Sequence, residues 1–260
     1  VTPNVIALQT IDRDTIESAG IWKNKSSMWQ FENIDTIGSL LQITPEECAS
    51  ITIESGLFGE KQQLLKAQAE YLSRKYHCVV TNPPYLGKGA NESLKDYLFE
   101  NYPNIKYDTM ATFMERCLEI CKHNGKVSMI NMHAWMFISS YERLRKNILQ
   151  RYHIDSLLHL GTHAFDEIGG EVVQSVVFTL ANHSPIDKQC EYYRLIVGNS
   201  SIKEATFLAR ENRYTGIDQT NFLNIPGIPI GYWMHNWFHL FNGSYIEDVV
   251  GVNAGVVPGN

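Results

Sequence analysis

The chain has 260 residues, 44% of them hydrophobic, 11% aromatic and 19% charged, a composition near the globular average that excludes a disordered, collagen-like or disulfide-scaffold protein. No run approaches the 18 apolar residues of a spanning helix, and the first residues lack the basic-then-apolar pattern of a secretion signal, so a soluble, cytoplasmic protein with no membrane partner is expected. Net charge is −6, but residues 61–151 hold 14 Lys and Arg against 8 Asp and Glu, which leaves 8 against 20 elsewhere; the middle is basic, to a degree that an ordinary solvated face also reaches. The five cysteines, Cys48, Cys78, Cys117, Cys121 and Cys190, are odd in number and include no CxxC pair, so neither disulfides nor a zinc site is expected.

The first fifty residues are the least informative, with a strand at 4–9 and a helix near 35–43. Apolar spacing at Leu64, Leu65, Ala67, Ala69 and Leu72 predicts a helix over 57–75. His77-Cys78-Val79-Val80-Thr81 follows as a short buried strand that breaks at Asn82-Pro83-Pro84. Helices are predicted over 91–101 and 108–123. In the second of these Asp108 caps, Ala111, Met114, Leu118 and Cys121 share a face, and Gly125 closes the end. Lys126 to Met132 reads as a strand and 139–150 as a helix capped by Ser139 or Ser140. Ile154–Leu160 and Val172–Leu180 are strands joined too tightly for a crossover helix, so they should pair antiparallel. A polar strand at 191–197 and a short helix near 201–210 are harder to place. From 226 the chain turns Gly- and Pro-rich and loses all Lys and Arg. Alternating strands and helices predict an α/β fold, mostly parallel, with an antiparallel strand at the end of the sheet.

The sharp signal is Asn82-Pro83-Pro84-Tyr85 directly after a strand. Chance places such a tetrapeptide in a chain of this length about once in a thousand. A rigid turn needs the prolines but neither the Asn nor the Tyr. The four residues together suit an acceptor site for a weakly nucleophilic amine, such as the exocyclic amine of adenine or an amide nitrogen. The Asn82 side-chain oxygen and the Pro83 carbonyl can each accept one N–H, which favours a pyramidal nitrogen and stabilises the positive charge that develops on it. Tyr85 can stack on a base, and the loop lies at the carboxyl end of a strand, where open α/β sheets bind ligands.

Asn82-Pro83-Pro84-Tyr85 resembles the signature of amino-group methyltransferases that use S-adenosylmethionine, above all the adenine-N6 DNA methyltransferases. Leu160-Gly161-Thr162-His163-Ala164-Phe165 resembles the segment in which that family sets a second aromatic against the flipped base, which makes Phe165 the second stacking residue. Further stretches are similar to the BREX phage-defence adenine methyltransferases of the PglX type: Tyr102-Pro103 to Leu118, His133-Ala134-Trp135-Met136-Phe137, Phe165 to Gln174 and, more loosely, Gly227 to Trp233. The resemblance implies a class I, Rossmann-like methyltransferase sheet, S-adenosylmethionine as cofactor, and double-stranded DNA as partner, with other phage-defence proteins as further partners. It divides the chain into a segment at 1–75, a catalytic core at 76–182, a connection at 183–225 and the start of a target-recognition module at 226–260.

One departure stands against the resemblance. The family's Asp/Asn-Pro-x-x-Gly-x-Gly cofactor loop has no counterpart: the glycines before Asn82 are Gly20, Gly38, Gly56 and Gly59, and Gly87-Lys88-Gly89 follows the catalytic loop and reads as flexible. A chain that opens Val1-Thr2-Pro3-Asn4 without Met is expected to be a piece of a longer protein, with its cofactor half upstream and this piece inactive alone. Lys88, Lys95 and Lys106 are candidates for DNA phosphates. His133 and Trp135 are candidates for substrate contact or packing. Cys117 and Cys121 read as core, and Asp166, Glu167 and Glu171 as loop solvation or caps. Two alternatives remain: an RNA-adenine or protein-glutamine methyltransferase, and a non-catalytic DNA-binding module of the same fold.

Overall fold

The computed structural model describes residues 5–20, 27–54, 56, 58–84, 91–103, 105, 108–165, 173–186 and 190–243. Two compact units, Val1–Asn131 and Met132–Asn260, make up the chain.

The first unit is built on helices. Asp12 caps α1 (Arg13–Ser18) by accepting from Thr15 N at 3.0 Å, and Thr44 and Glu47 close a reciprocal capping box on α3 (Pro45–Ala49). Between them lies α2 (Ile34–Ile37), continued by a 3-10 turn at Gly38–Leu40, and α4 spans Gly59–Ser73. Their apolar faces, including Ile16, Ile34, Leu65 and Leu72, form one core that also takes in Phe31, Leu94 and Tyr97. The strand expected at 4–9 is absent from the described residues 5–9, which carry no regular structure. At Gln9 the fully buried Gln68 of α4 takes the place of a strand partner: its amide accepts from Gln9 N and donates to Gln9 O.

Strand β1 (Tyr76–Thr81) runs parallel to β2 (Cys121–Met132), with Val79 opposite Val127 and Thr81 opposite Met129. Two helices lie between them in sequence. In α5 (Glu92–Asn101) Asn91 caps, and in α6 (Thr109–Ile120) Asp108 caps by accepting from Ala111 N at 2.9 Å. Two expectations are corrected here. Strand β1 is not a buried strand, since His77 and Cys78 are exposed and Val80 is 72% exposed; helices supply this unit's core. Gly125 does not close α6, which ends at Ile120. It stands instead within β2, where a Cβ would press to 2.8 Å from His77 O and Cys121 Sγ, so the tight approach of the two strands requires glycine.

In the second unit β3 (His153–Gly161) pairs antiparallel with β4 (Ser175–Ala181), as expected, and parallel with β5 (Cys190–Arg194), which pairs antiparallel with β6 (Arg213–Ile217). The β1–β2 and β3–β5 pairings are thus parallel, and the β3–β4 and β5–β6 pairings antiparallel. The protein is α/β with mixed pairing, less parallel than expected because both β4 and β6 run against their partners. Helix α7 (Glu142–Arg151) starts after a 3-10 turn at Ser139–Tyr141, and neither Ser139 nor Ser140 caps it; Tyr141 holds the cap position, and its side chain does not cap the helix. Helix α8 (Ser200–Leu208), capped by Asn199, follows β5 and precedes β6 in sequence. Gln219, in a 3-10 turn at Gln219–Asn224, is buried and fully used: it accepts from Ile154 N and donates to Leu149 O and Tyr152 O, which ties α7 to β3. No helix among the described residues is long and apolar enough to cross a membrane.

Candidate active site

Strand β1 ends at Thr81 and delivers Asn82, which is exposed, Pro83, which is buried, and Pro84, which is exposed. Two prolines in succession fix two φ angles near −65°. The far side of the turn is fastened to the next helix pair, because the Thr109 hydroxyl, at the first position of α6, donates to Pro84 O at 3.3 Å. Helix α6 is itself held rigidly. Arg116, almost wholly buried, donates from Nε to Ser39 O and from Nη2 to Leu41 O and Leu72 O, and pairs through Nη1 with Glu119 at 2.9 Å. Tyr97 and Tyr102 both donate to Leu40 O, and burial pushes the Tyr97 hydroxyl up to about 12. The asparagine thus stands at the end of a strand, in a segment whose Pro84 carbonyl is held by Thr109. Lys95 is half-buried on α5. Tyr85, Lys88 and Lys106 lie outside the described residues, as do Asp166, Glu167 and Glu171.

Phe165 belongs to the second unit and is 44% exposed. It follows a turn in which Gly161 has φ +63° and His163 φ +55°. At Gly161 a Cβ would meet Ile196 at 3.2 Å on top of the left-handed conformation, so this turn after β3 needs glycine.

The same unit holds a polar chain that the sequence only half revealed. His133 Nδ1 lies 2.7 Å from His159 Nε2, and His159 Nδ1 lies 3.1 Å from Tyr232 Oη. Phe137 and Trp233 pack around the two imidazoles, and the Arg194 guanidinium lies 5.1 Å from the Trp233 ring centroid. His133 therefore joins a network. Trp135, its companion candidate, is fully buried against Phe178 at 5.1 Å and is core. His159, Tyr232 and Arg194 were missed. The signal for His159 was available, because it falls on the inward alternation of β3 with Leu157, where a polar residue needs a partner.

Burial holds His159 down at about 4, with the neighbouring His133, Arg194 and Lys203 adding to it, and burial lowers His133 as well. Above the ordinary histidine value of 6.5 both states are neutral and the native stability is full. As pH falls through 6.5 toward about 4 the unfolded chain takes up a proton that the folded chain refuses, so stability is lost. His159 alone should account for up to about 3 kcal/mol. Asp12, held at about 2 chiefly by its hydrogen bond to Lys61, acts only below this window. Urea unfolding of the parent and of His159→Gln at pH 7.5 and 4.5 checks this: the variant should lose markedly less stability between the two, and equal losses would refute it.

Among the described residues no group of three or more His, Cys, Asp or Glu is placed to hold a metal ion. Cys117 and Cys121 are buried, and burial raises both thiols, Cys117 to about 12, away from the thiolate a metal requires. The described residues before β1 are helical or irregular. Gly20 and Gly38 end short helices, and Gly59 begins α4. They do not form the strand–glycine turn–helix expected of a loop gripping the methionine end of S-adenosylmethionine.

A family model described as Eco57I restriction-modification methylase matches residues 9–165. The adenine-specific methyltransferase BrxX of Escherichia coli O9:H4 (strain HS) is 36% identical over 219 residues, covering 78% of this chain and 18% of that protein. The adenine-specific methyltransferase PglX of Lacticaseibacillus casei (strain Zhang) is 32% identical over 262 residues, covering 95% of this chain and 22% of that protein. The chain therefore spans about a fifth of the length of these relatives. Among solved structures, the methyltransferase subunit of a type I restriction-modification system from Streptococcus thermophilus is 15% identical with a TM-score of 0.42, over 60% of this chain and 37% of that one.

Proposed function

From the premise that this chain belongs to the Eco57I restriction-modification methylase family, we propose that it carries the acceptor side of an S-adenosylmethionine-dependent, class I adenine-N6 DNA methyltransferase of a phage-defence system. The observation that carries this reading is the Asn82-Pro83-Pro84 turn, placed at the carboxyl end of β1 and fastened to Thr109. Asn82 Oδ1 and the Pro83 carbonyl accept the two N–H bonds of the adenine amine. Tyr85 and Phe165 are the residues assigned to stacking on the base. Flipping the base out of the duplex costs a few kcal/mol, which such contacts offset. Lys88, Lys95 and Lys106 are assigned to the phosphates, and the chain from 226 is assigned to the start of the target-recognition module. S-adenosylmethionine supplies the methyl group in this reading. Because the described residues before β1 do not fit that cofactor, its binding is assigned to none of them.

The substrate is tested by incubating the full-length protein with labelled S-adenosylmethionine and, in parallel, duplex DNA, RNA and a protein carrying exposed glutamines. Label should appear at adenine N6 of duplex DNA. Label in RNA or on glutamine instead would replace the DNA reading, and Phe165 favours a base over an amide because a glutamine side chain has no ring to stack on it.

A further inference from the structure

Lys203 is a long cation that is 4% exposed, within α8, and the proposed chemistry does not use it. Its ammonium donates to the main-chain carbonyls of Leu160 and Thr162. Those two residues flank Gly161, and the chain then passes through a second left-handed residue, His163, before it reaches Phe165. An open pocket of about 200 Å³, lined among others by Leu158, Leu160, Ala164, Leu195, Lys203 and Phe207, adjoins the turn. Left-handed backbone at a non-glycine residue persists only where the surroundings over-determine it. Here the polar fastening comes from α8, and among the described residues no carboxylate pairs with Lys203 to draw its charge elsewhere.

We propose that Lys203 is a positioning residue for the substrate base: by holding the Leu160 and Thr162 carbonyls from α8, it fixes the turn that presents Phe165. This rests on the assignment of Phe165 as a stacking residue. Lys203 touches no reacting atom and acts only through the ring it places. Burial also lowers its pKa, as expected of an ammonium whose hydration has been replaced by carbonyls.

The test uses the full-length protein with a fluorine-labelled phenylalanine at position 165, so that the ring's environment is read by fluorine NMR without reference to activity. Lys203→Met should shift or broaden that resonance and lower kcat/KM for DNA about 10- to 100-fold. Lys203→Arg, which keeps charge and several donors, should restore most of both. In a Phe165→Ala background the Met substitution should cost less than about 2-fold, because the ring it acts through is gone. Should Lys203→Met fail to fold by circular dichroism, Lys203→Gln takes its place. An unchanged resonance at 165, or the same fold loss with and without the ring, overturns the proposal. If the parent transfers no methyl group to DNA, the functional reading fails, and the fluorine signal alone still decides whether Lys203 sets Phe165.

Discussion

Asn82→Ala should slow methyl transfer to DNA by about 100- to 1,000-fold, equivalent to about 2.7–4 kcal/mol of transition-state stabilisation. The size follows from what the side chain does. An aromatic amine is nucleophilic only when its lone pair leaves the ring, and an acceptor set before the substrate arrives stabilises the charge that then develops without reorganising. Asn82 is exposed at the end of β1 while its neighbour Pro83 is buried, so the substitution should leave the turn standing and move stability by no more than about 0.5 kcal/mol, as for most surface changes. The loss should therefore fall on kcat, with DNA affinity near the parental value. Single-turnover methylation separates the two. Asn82→Asp keeps an acceptor oxygen and should lose less than Asn82→Ala. A parental rate in Asn82→Ala would remove the acceptor mechanism, whichever substrate is methylated.

Local signals carried much of the fold. Asp108 three positions before Ala111, with Met114 and Leu118 on one face, specifies α6 and its cap from sequence alone, because capping and helical periodicity both act within a few residues. The antiparallel pairing expected of two strands so near in sequence also forms, between β3 and β4. What sequence could not reveal depends on partners distant along the chain. Gln68 pairs the backbone of Gln9 from 59 residues away, and Gly125 is glycine because of His77, across the β1–β2 pairing. The candidate site divides in the same way. Asn82 and the two prolines are legible as candidates because the chemistry is written in adjacent residues, and Phe165 because its segment resembles that of a family. Lys203 and His159 were not, since each matters through a hydrogen bond to another element.

Replacing Arg145 by Met should cost the fold about 3–5 kcal/mol, the range for stripping a buried charged donor from its partners. Arg145 is fully buried, and its partners are backbone: Nε donates to Ile228 O at 2.7 Å, Nη1 to Trp135 O at 2.8 Å and Ile138 O at 2.7 Å, and Nη2 to Gly227 O at 2.6 Å. One guanidinium thus pins the 133–138 segment to the turn at 227–228, and Ile230 N, donating to Met136 O at 2.9 Å, continues the seam. That turn is strained. Ile228 has φ +51°, a conformation a β-branched residue adopts only under constraint, at a cost of about 1–3 kcal/mol. Met fills the volume but donates nothing, so four carbonyls lose their donor and the strained turn loses its restraint. Lys can reach only some of these oxygens from a single nitrogen and should recover part of the loss. Urea unfolding gives the free energy, and an unchanged m-value confirms that the same surface is exposed. Near-ultraviolet circular dichroism of Trp135 and Trp233 should change first if the turn opens before the sheet does. A cost below about 1 kcal/mol would mean that the Ile228 conformation is held by packing of Ile225 and Ile230 and not by the arginine.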